Sequence, residues 1–370
     1  MANKPVASED VLSENAQPFI YVFNYKEGGF LLLSAEYGEI PILAYSDRNN
    51  FDIKKPINAG LNNWLGTVRD QIYFMRKDSL PIHDAALSQW KNYSSHSFKF
   101  EIPTQTYSTL PVSSPKLELR DRYKDDTNQS CYRTPWSRYK VDMLLQTEWG
   151  QGCGYNNLCP EFSGAFFSCG RAPTGCVATA MAQIVRYHQK PSWFNYSSMP
   201  NTLSCSPWNP NPCANVSTDL ASLMFQSGTV VNMNYGATES SSFTSNIINA
   251  LVGWGYANSM TFSSTLSSFR YAGIESDIDA HQPVVFRGCS TSTPTNYFGF
   301  YTSYQYSDCH AWVCDGYDVE THPCYSSLKS YHMNWGWGGD SNGFYAYPAP
   351  SNQPQWVFQY ATAVLRGIHP

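Results

Sequence analysis

Several things are scarce in this chain, and each scarcity excludes something. No apolar run approaches the ~18 residues that a membrane-spanning helix needs, so an embedded role is not expected. Charged residues make up only 14% of the 370, the formal charge is −5, and no Lys/Arg cluster forms a basic stripe. Nucleic acid is therefore not an expected partner. No CxxC occurs and no histidine pair has metal-ligand spacing, so neither a zinc site nor another metal or cofactor is expected. The opening MANKPVASEDVLSENAQ lacks the apolar core of a secretory signal. Cysteine is missing from the first 130 residues, although 11 follow.

Those late cysteines are informative. Setting aside one as a nucleophile leaves ten of the 11, enough for up to five disulfides. The short loops Cys153–Cys159 and Cys205–Cys213 are candidate pairs, and a set of buried reduced thiols is the alternative. Disulfides require an oxidising compartment. The expectation is thus a secreted or extracytoplasmic protein whose signal has been removed from this chain.

Aromatic residues are abundant (26 Tyr, 20 Phe, 11 Trp), as in a well-packed protein, and the length exceeds what one core usually serves. Residues 19–25 and 30–37 read as strands joined by a turn at Lys26-Glu27-Gly28-Gly29, with a third strand from Ile40 to Tyr45. Leu61, Leu65, Val68 and Ile72 recur at helical spacing between Pro56 and Met75, and a shorter helix is expected from Ala85 to Tyr93. The stretch 102–135, rich in Pro, Ser and charge, is the best linker. Beyond it come a strong helix at 175–189, a loop at 191–217, helices near 218–227 and 243–253, and then strands to the end. This predicts an α+β protein: a small α+β domain over 1–120, a linker over 121–135, and a larger domain over 136–370.

The chemistry converges on Cys176, in PTGCVATAMAQIVRYH. Pro173-Thr174-Gly175 predicts a helix start with Thr174 as N-cap, which places Cys176 in the first turn. Unpaired N–H groups there favour a thiolate, and thiolate is the reactive form. His310 opens HAWVCDGYD, where alternation sets His310, Trp312 and Cys314 on one strand face and Ala311, Val313 and Asp315 on the other. Asn334, in NWGWGG, can orient an imidazole beside an indole. Gln151, in EWGQGCGYNN, can complete an oxyanion hole with the Cys176 N–H.

The chain order Gln, Cys, His, Asn is similar to that of papain-like peptidases. The four segments, with VNMNYG at 231–236, ALVGWGY at 250–256 and HQPVVFRG at 281–288, resemble the streptopain family of papain-like cysteine peptidases. That resemblance spans roughly 145–347, and the first ~115 residues look like the family's pro-region. It implies a papain-like catalytic domain, part helical and part antiparallel sheet, made as a zymogen endopeptidase. The implied partners are extended polypeptide substrates and the chain's own pro-domain in cis, and the implied state is a monomer. It also makes Trp335 an equal candidate with Asn334 for orienting His310.

The same residues admit other readings. A papain-fold amidase or acyl-transferase uses the same Cys-His pair, and a silent binding protein can keep the fold. Cys176 can be an inert core cysteine. His188 sits on the core face of its helix and reads as structural. His281, His322 and His332 read as surface or satisfied histidines, with His332 nearest the cleft by its alternation with Asn334. Gly339-Asp340-Ser341-Asn342-Gly343 matches the GxSxG elbow, but strand-like FYAY follows it where a helix is required, so a tight turn is expected.

Overall fold

The computed structural model describes residues 4–55, 57–77, 85–95, 134–203, 215–263, 268–297, 301–347 and 360–370. The chain opens with four strands, β1 (Val6–Glu14), β2 (Gln17–Tyr25), β3 (Phe30–Ser34) and β4 (Ile42–Ser46). Helices α1 (Ala59–Arg76) and α2 (Ala86–Ser95) follow. Helix α1 starts immediately after Asn58, whose side chain accepts the Leu61 N–H at 2.8 Å and so caps the first turn. Its Leu61, Leu65, Val68 and Ile72 are all buried, each stabilising by about 1.5–3 kcal/mol relative to exposure. The predicted linker lies almost wholly outside the described residues, as does the pair Cys205–Cys213.

Strand β5 (Ser137–Val141) begins the second part. Helix α3 (Cys176–His188), α4 (Thr218–Val230), α5 (Asn246–Gly253) and α6 (Ser268–Asp279) come next, with short strands β6 (Asn234–Tyr235), β7 (Ser240–Ser241) and β8 (Thr261–Ser263) between them. Strands β9 (Val284–Tyr297), β10 (Tyr301–His322), β11 (Tyr325–Asn334), β12 (Gly343–Tyr347) and β13 (Tyr360–Arg366) complete the fold. No helix among the described residues is long and apolar enough to cross a membrane. The Gly339–Gly343 run is a turn leading into β12, as expected.

One antiparallel sheet spans both halves, in the order β1-β2-β3-β4-β12-β11-β10-β9-β13-β8, with β5 also paired to β10. The junction is narrow: Tyr45 pairs with Phe344 and Ala44 with Tyr345. Period-two alternation along β10 feeds two cores. Trp312 and Cys314 pack on one face with Leu61, Trp64, Leu65, Val68 and Ile72 of α1. Ala311 and Val313 pack on the other with Val177, Met181, Ile184 and Val185 of α3.

Four expectations need correction. Cys153 pairs with Cys169, not Cys159, which is a buried free thiol. Cys314 is also free, so the ten remaining cysteines do not all pair, while Cys289–Cys309 makes a second bridge. Gly175, not Thr174, caps α3 with φ +86°, and Thr174 turns inward to share a hydrogen bond with the Thr179 hydroxyl at 2.8 Å. Finally, the closing stretch is not all strand, because α6 precedes β9.

Candidate active site

Cys176 is the first residue of α3, a position fixed by the cap that Gly175 forms with positive φ. A Cβ at Gly175 would meet the Met233 side chain at 2.6 Å and the Ser240 carbonyl at 3.1 Å, so the β6–β7 hairpin seats on this corner. The half-buried thiol lies against the Ala311 backbone. Burial pushes its pKa up, and the N–H groups of Ala311, Val177 and Cys176 itself only partly offset this. The helix start therefore does not produce the low thiol pKa that the sequence suggested. Among the described residues, no histidine acts on the charge of this sulfur.

Gln151 is brought to the same corner. Its carbonyl accepts the Thr174 N–H at 3.0 Å, two residues before the cysteine, and its side chain is half-buried. The Cys153–Cys169 bridge closes the loop that follows. The strand of chain before it is held by Gln183 of α3, whose Oε1 accepts from Thr147 Oγ1 at 3.0 Å and the Trp149 N–H at 3.2 Å.

His310 is elsewhere. Its ring is buried, stacked on Trp312 at 6.1 Å between centroids, on the face that α1 covers. Nε2 lies 2.7 Å from the Trp335 carbonyl, which can only accept, so Nε2 carries the proton. Burial pushes this histidine down to about 4, with the Trp335 contact opposing, so the ring is neutral here. No hydrogen bond between His310 and Cys176 exists among the described contacts. The structure thus brings Gln151 and Cys176 together and sets His310 across the strand from them.

Asn334 and Trp335 divide differently from the expectation. Asn334 is buried and donates to the Thr147 carbonyl at 2.7 Å and to Gln183 Oε1 at 3.1 Å, while its Oδ1 accepts the Gly336 N–H at 3.3 Å. It ties α3 to the 334–336 turn and does not touch His310 in this conformation. Trp335 meets the histidine through its carbonyl, and its ring packs 5.1 Å from Trp312.

Sequence reasoning passed over three groups. Asp318 of β10 accepts Tyr45 Oη at 2.6 Å and Arg138 Nε at 2.9 Å, joining the first domain to the second. Glu320 accepts from Tyr93 Oη at 2.9 Å and from Gln89. Asp315, fully buried, meets His332 Nδ1 at 2.6 Å and accepts the Leu145 N–H at 2.8 Å. Only alternation signals any of them, by placing Asp315 inward. His322 is satisfied, as expected, by contacts with the Thr134 carbonyl and Cys324 N–H.

Residues 149–345, which contain Gln151, Cys176, His310, Asn334 and Trp335, match the Peptidase C10 family. The chain belongs to that family. Residues 2–72, covering β1 to β4 and most of α1, match the Spi protease inhibitor family, so the covering domain is an inhibitor-type pro-domain. Streptopain of Streptococcus pyogenes serotype M28 is 26% identical over 89% of this chain and 74% of its own length. The thiol protease/hemagglutinin PrtT of Porphyromonas gingivalis is 26% identical over 90% of this chain but only 34% of its own, so the chain spans about a third of that relative. Among solved structures, a prointerpain A fragment from Prevotella intermedia superposes with TM-score 0.61 at 19% identity. The match covers 98% of this chain and 99% of that one, and the two share a fold.

Proposed function

We propose that the chain is the closed zymogen of a secreted cysteine endopeptidase acting on extended polypeptides. Residues 1–120 form its inhibitory pro-domain, 121–135 the activation segment and 136–370 the peptidase. Cys176 is the nucleophile and His310 its general base, then acid. Gln151 and the Cys176 N–H stabilise the oxyanion, and Trp335 or Asn334 orients the imidazole once the dyad forms. The observation that carries this reading is the separation of Cys176 and His310 by one strand, with α1 packed over the histidine's face. An inhibitory domain need not block the cleft if it holds the base away from the nucleophile.

On release, the His310 nitrogen without the proton takes the thiol's proton, and the thiolate attacks the scissile carbonyl. The developing oxyanion is met by Gln151 and backbone N–H, each worth a factor of about 10²–10³ in rate. Imidazolium then protonates the leaving amine, and water hydrolyses the thioester. The bridges Cys153–Cys169 and Cys289–Cys309 support an oxidising compartment outside the cytoplasm. Incubating the purified chain with thiol and an unstructured protein substrate, with and without a thiol-alkylating inhibitor, tests the reading. Alkylation-sensitive internal cleavage is expected; a substrate left intact under all conditions overturns it.

A further inference from the structure

The ladder between β9 and β10 runs without a register shift from Tyr301↔Tyr297 to Cys314↔Val284. Within it His310 faces Gly288, and the adjacent pair, Cys309↔Cys289, is bridged by a disulfide. Side chains on a strand alternate faces, so moving His310 to the Cys176 side takes one of two rearrangements. Either β10 slips by one residue on β9, or residues 309–311 unpair locally. Both displace Cys309 relative to Cys289, and the covalent bond between them opposes both.

The pro-domain grips the same point. Asn63 of α1 donates to the Cys289 carbonyl at 2.7 Å, inside the protein. Cys289 is fully buried, whereas Cys309 is exposed. One cysteine of the bridge is therefore exposed beside the base, and the other is buried, with its backbone carbonyl held by α1 of the pro-domain.

Building on the zymogen reading, we propose that Cys309 is a thiol–disulfide exchange site. A small or protein dithiol reduces the Cys289–Cys309 bridge there, and this frees His310 to join Cys176. One thiolate of the dithiol attacks Cys309 Sγ, forming a mixed disulfide and expelling the Cys289 thiolate, which takes a proton. The second thiol of the reductant, as thiolate, then displaces Cys309. Two electrons pass to the protein, leaving two cysteine thiols and an oxidised dithiol. Reduction at Cys309 comes first and loosens His310 in the intact chain, and cleavage of the linker then completes activation. The Cys153–Cys169 bridge, beside Gln151, does not restrain the histidine.

The test uses the full-length chain. Loss of the N-terminal domain is timed in wild type, in Cys289→Ser/Cys309→Ser and in Cys153→Ser/Cys169→Ser, with and without dithiothreitol. Without reductant the first double variant is expected to lose its pro-domain about tenfold faster or more, since a cross-link of this loop size restrains a chain by more than that factor. Dithiothreitol should accelerate wild type but add little to that variant. Equal rates, or an undiminished response to dithiothreitol, would overturn the proposal. A readout free of catalysis and of the serine substitutions is His310 titration by NMR in full-length Cys176→Ala before and after reduction. The ring should move from strongly depressed toward ordinary histidine behaviour, and a titration unchanged after mass spectrometry shows Cys289 and Cys309 reduced would also overturn it. If no chain cleaves itself or substrate, the peptidase reading fails while the titration still reports on the bridge.

Discussion

Two glycines of α1 predict opposite effects on activation. At Gly60, in the first turn, an added Cβ would lie 2.8 Å from Trp312 Cζ3 and 2.9 Å from Trp335 Cζ3, the ring stacked on His310 and the ring packed against that one. Both indoles are fully buried and cannot swing away, so the helix itself must lift. Overpacking of this kind costs about 1–3 kcal/mol. Replacing glycine by alanine in a helix returns about 0.5–1 kcal/mol. The net for Gly60→Ala is about 1 kcal/mol against docking, or about a fivefold rise in the open fraction. At Gly66 nothing lies within 4 Å of the added Cβ, so Gly66→Ala keeps only the helical gain and should slow activation about threefold. Timing pro-domain loss of both full-length variants under one thiol condition reads the two signs together. A Gly60→Ala chain that activates no faster than wild type, or two variants that shift alike, would refute the claim that α1 docking on Trp312 and Trp335 holds the enzyme closed.

Three further outcomes follow from other contacts. Gln151→Ala should lower kcat/KM of the activated enzyme by about 10²–10³ with little change in KM, and an unchanged kcat/KM would remove Gln151 from the oxyanion hole. Tyr45→Phe strips the hydroxyl that donates to Asp318 and accepts from Arg138, so pro-domain release should accelerate by roughly the cost of one charge-assisted hydrogen bond, about 1–3 kcal/mol; a processing time course matching wild type would count against it. Burial lifts Glu39 to about 7, above its ordinary 4.5, so the stability it lends the fold is full below pH 4.5 and is lost as pH rises through about 7. Glu39→Gln should therefore raise Tm at pH 8 but not at pH 5, and equal gains at both would show that its charge is not the cause.

How far the sequence reached differs residue by residue. The periodicities of α1 and α3 were plain because their buried faces are continuous. The alternation in HAWVCDGYD correctly put His310 and Trp312 on one face, yet nothing local says which face carries α3 and which carries the pro-domain. That depends on how distant elements close the sheet. Strand β1, VASEDVLSE, has no apolar stripe because most of its side chains are exposed, and it exists by pairing with β2. Helix α6 was hidden because Ile274 and Ile278 are the buried apolar anchors among its described side chains, too few to set a period. The cap at Cys176 was misplaced because Thr174 is a good capping residue in isolation, while the tertiary fit at Met233 and Ser240 demands glycine one position later. Cysteine pairing is likewise a tertiary property: Cys289 and Cys309 meet only because β9 and β10 align in that register.

Replacing Cys176 tests the central claim most directly. Full-length wild type and Cys176→Ala are incubated side by side with thiol and a protein substrate, and both the substrate and the chain's own N-terminal domain are followed by mass. The account predicts that wild type sheds residues 1–120 or a nearby fragment and then degrades the substrate, while Cys176→Ala, folded to the same Tm within a few degrees, does neither. Processing and turnover by Cys176→Ala at the wild-type rate would contradict it.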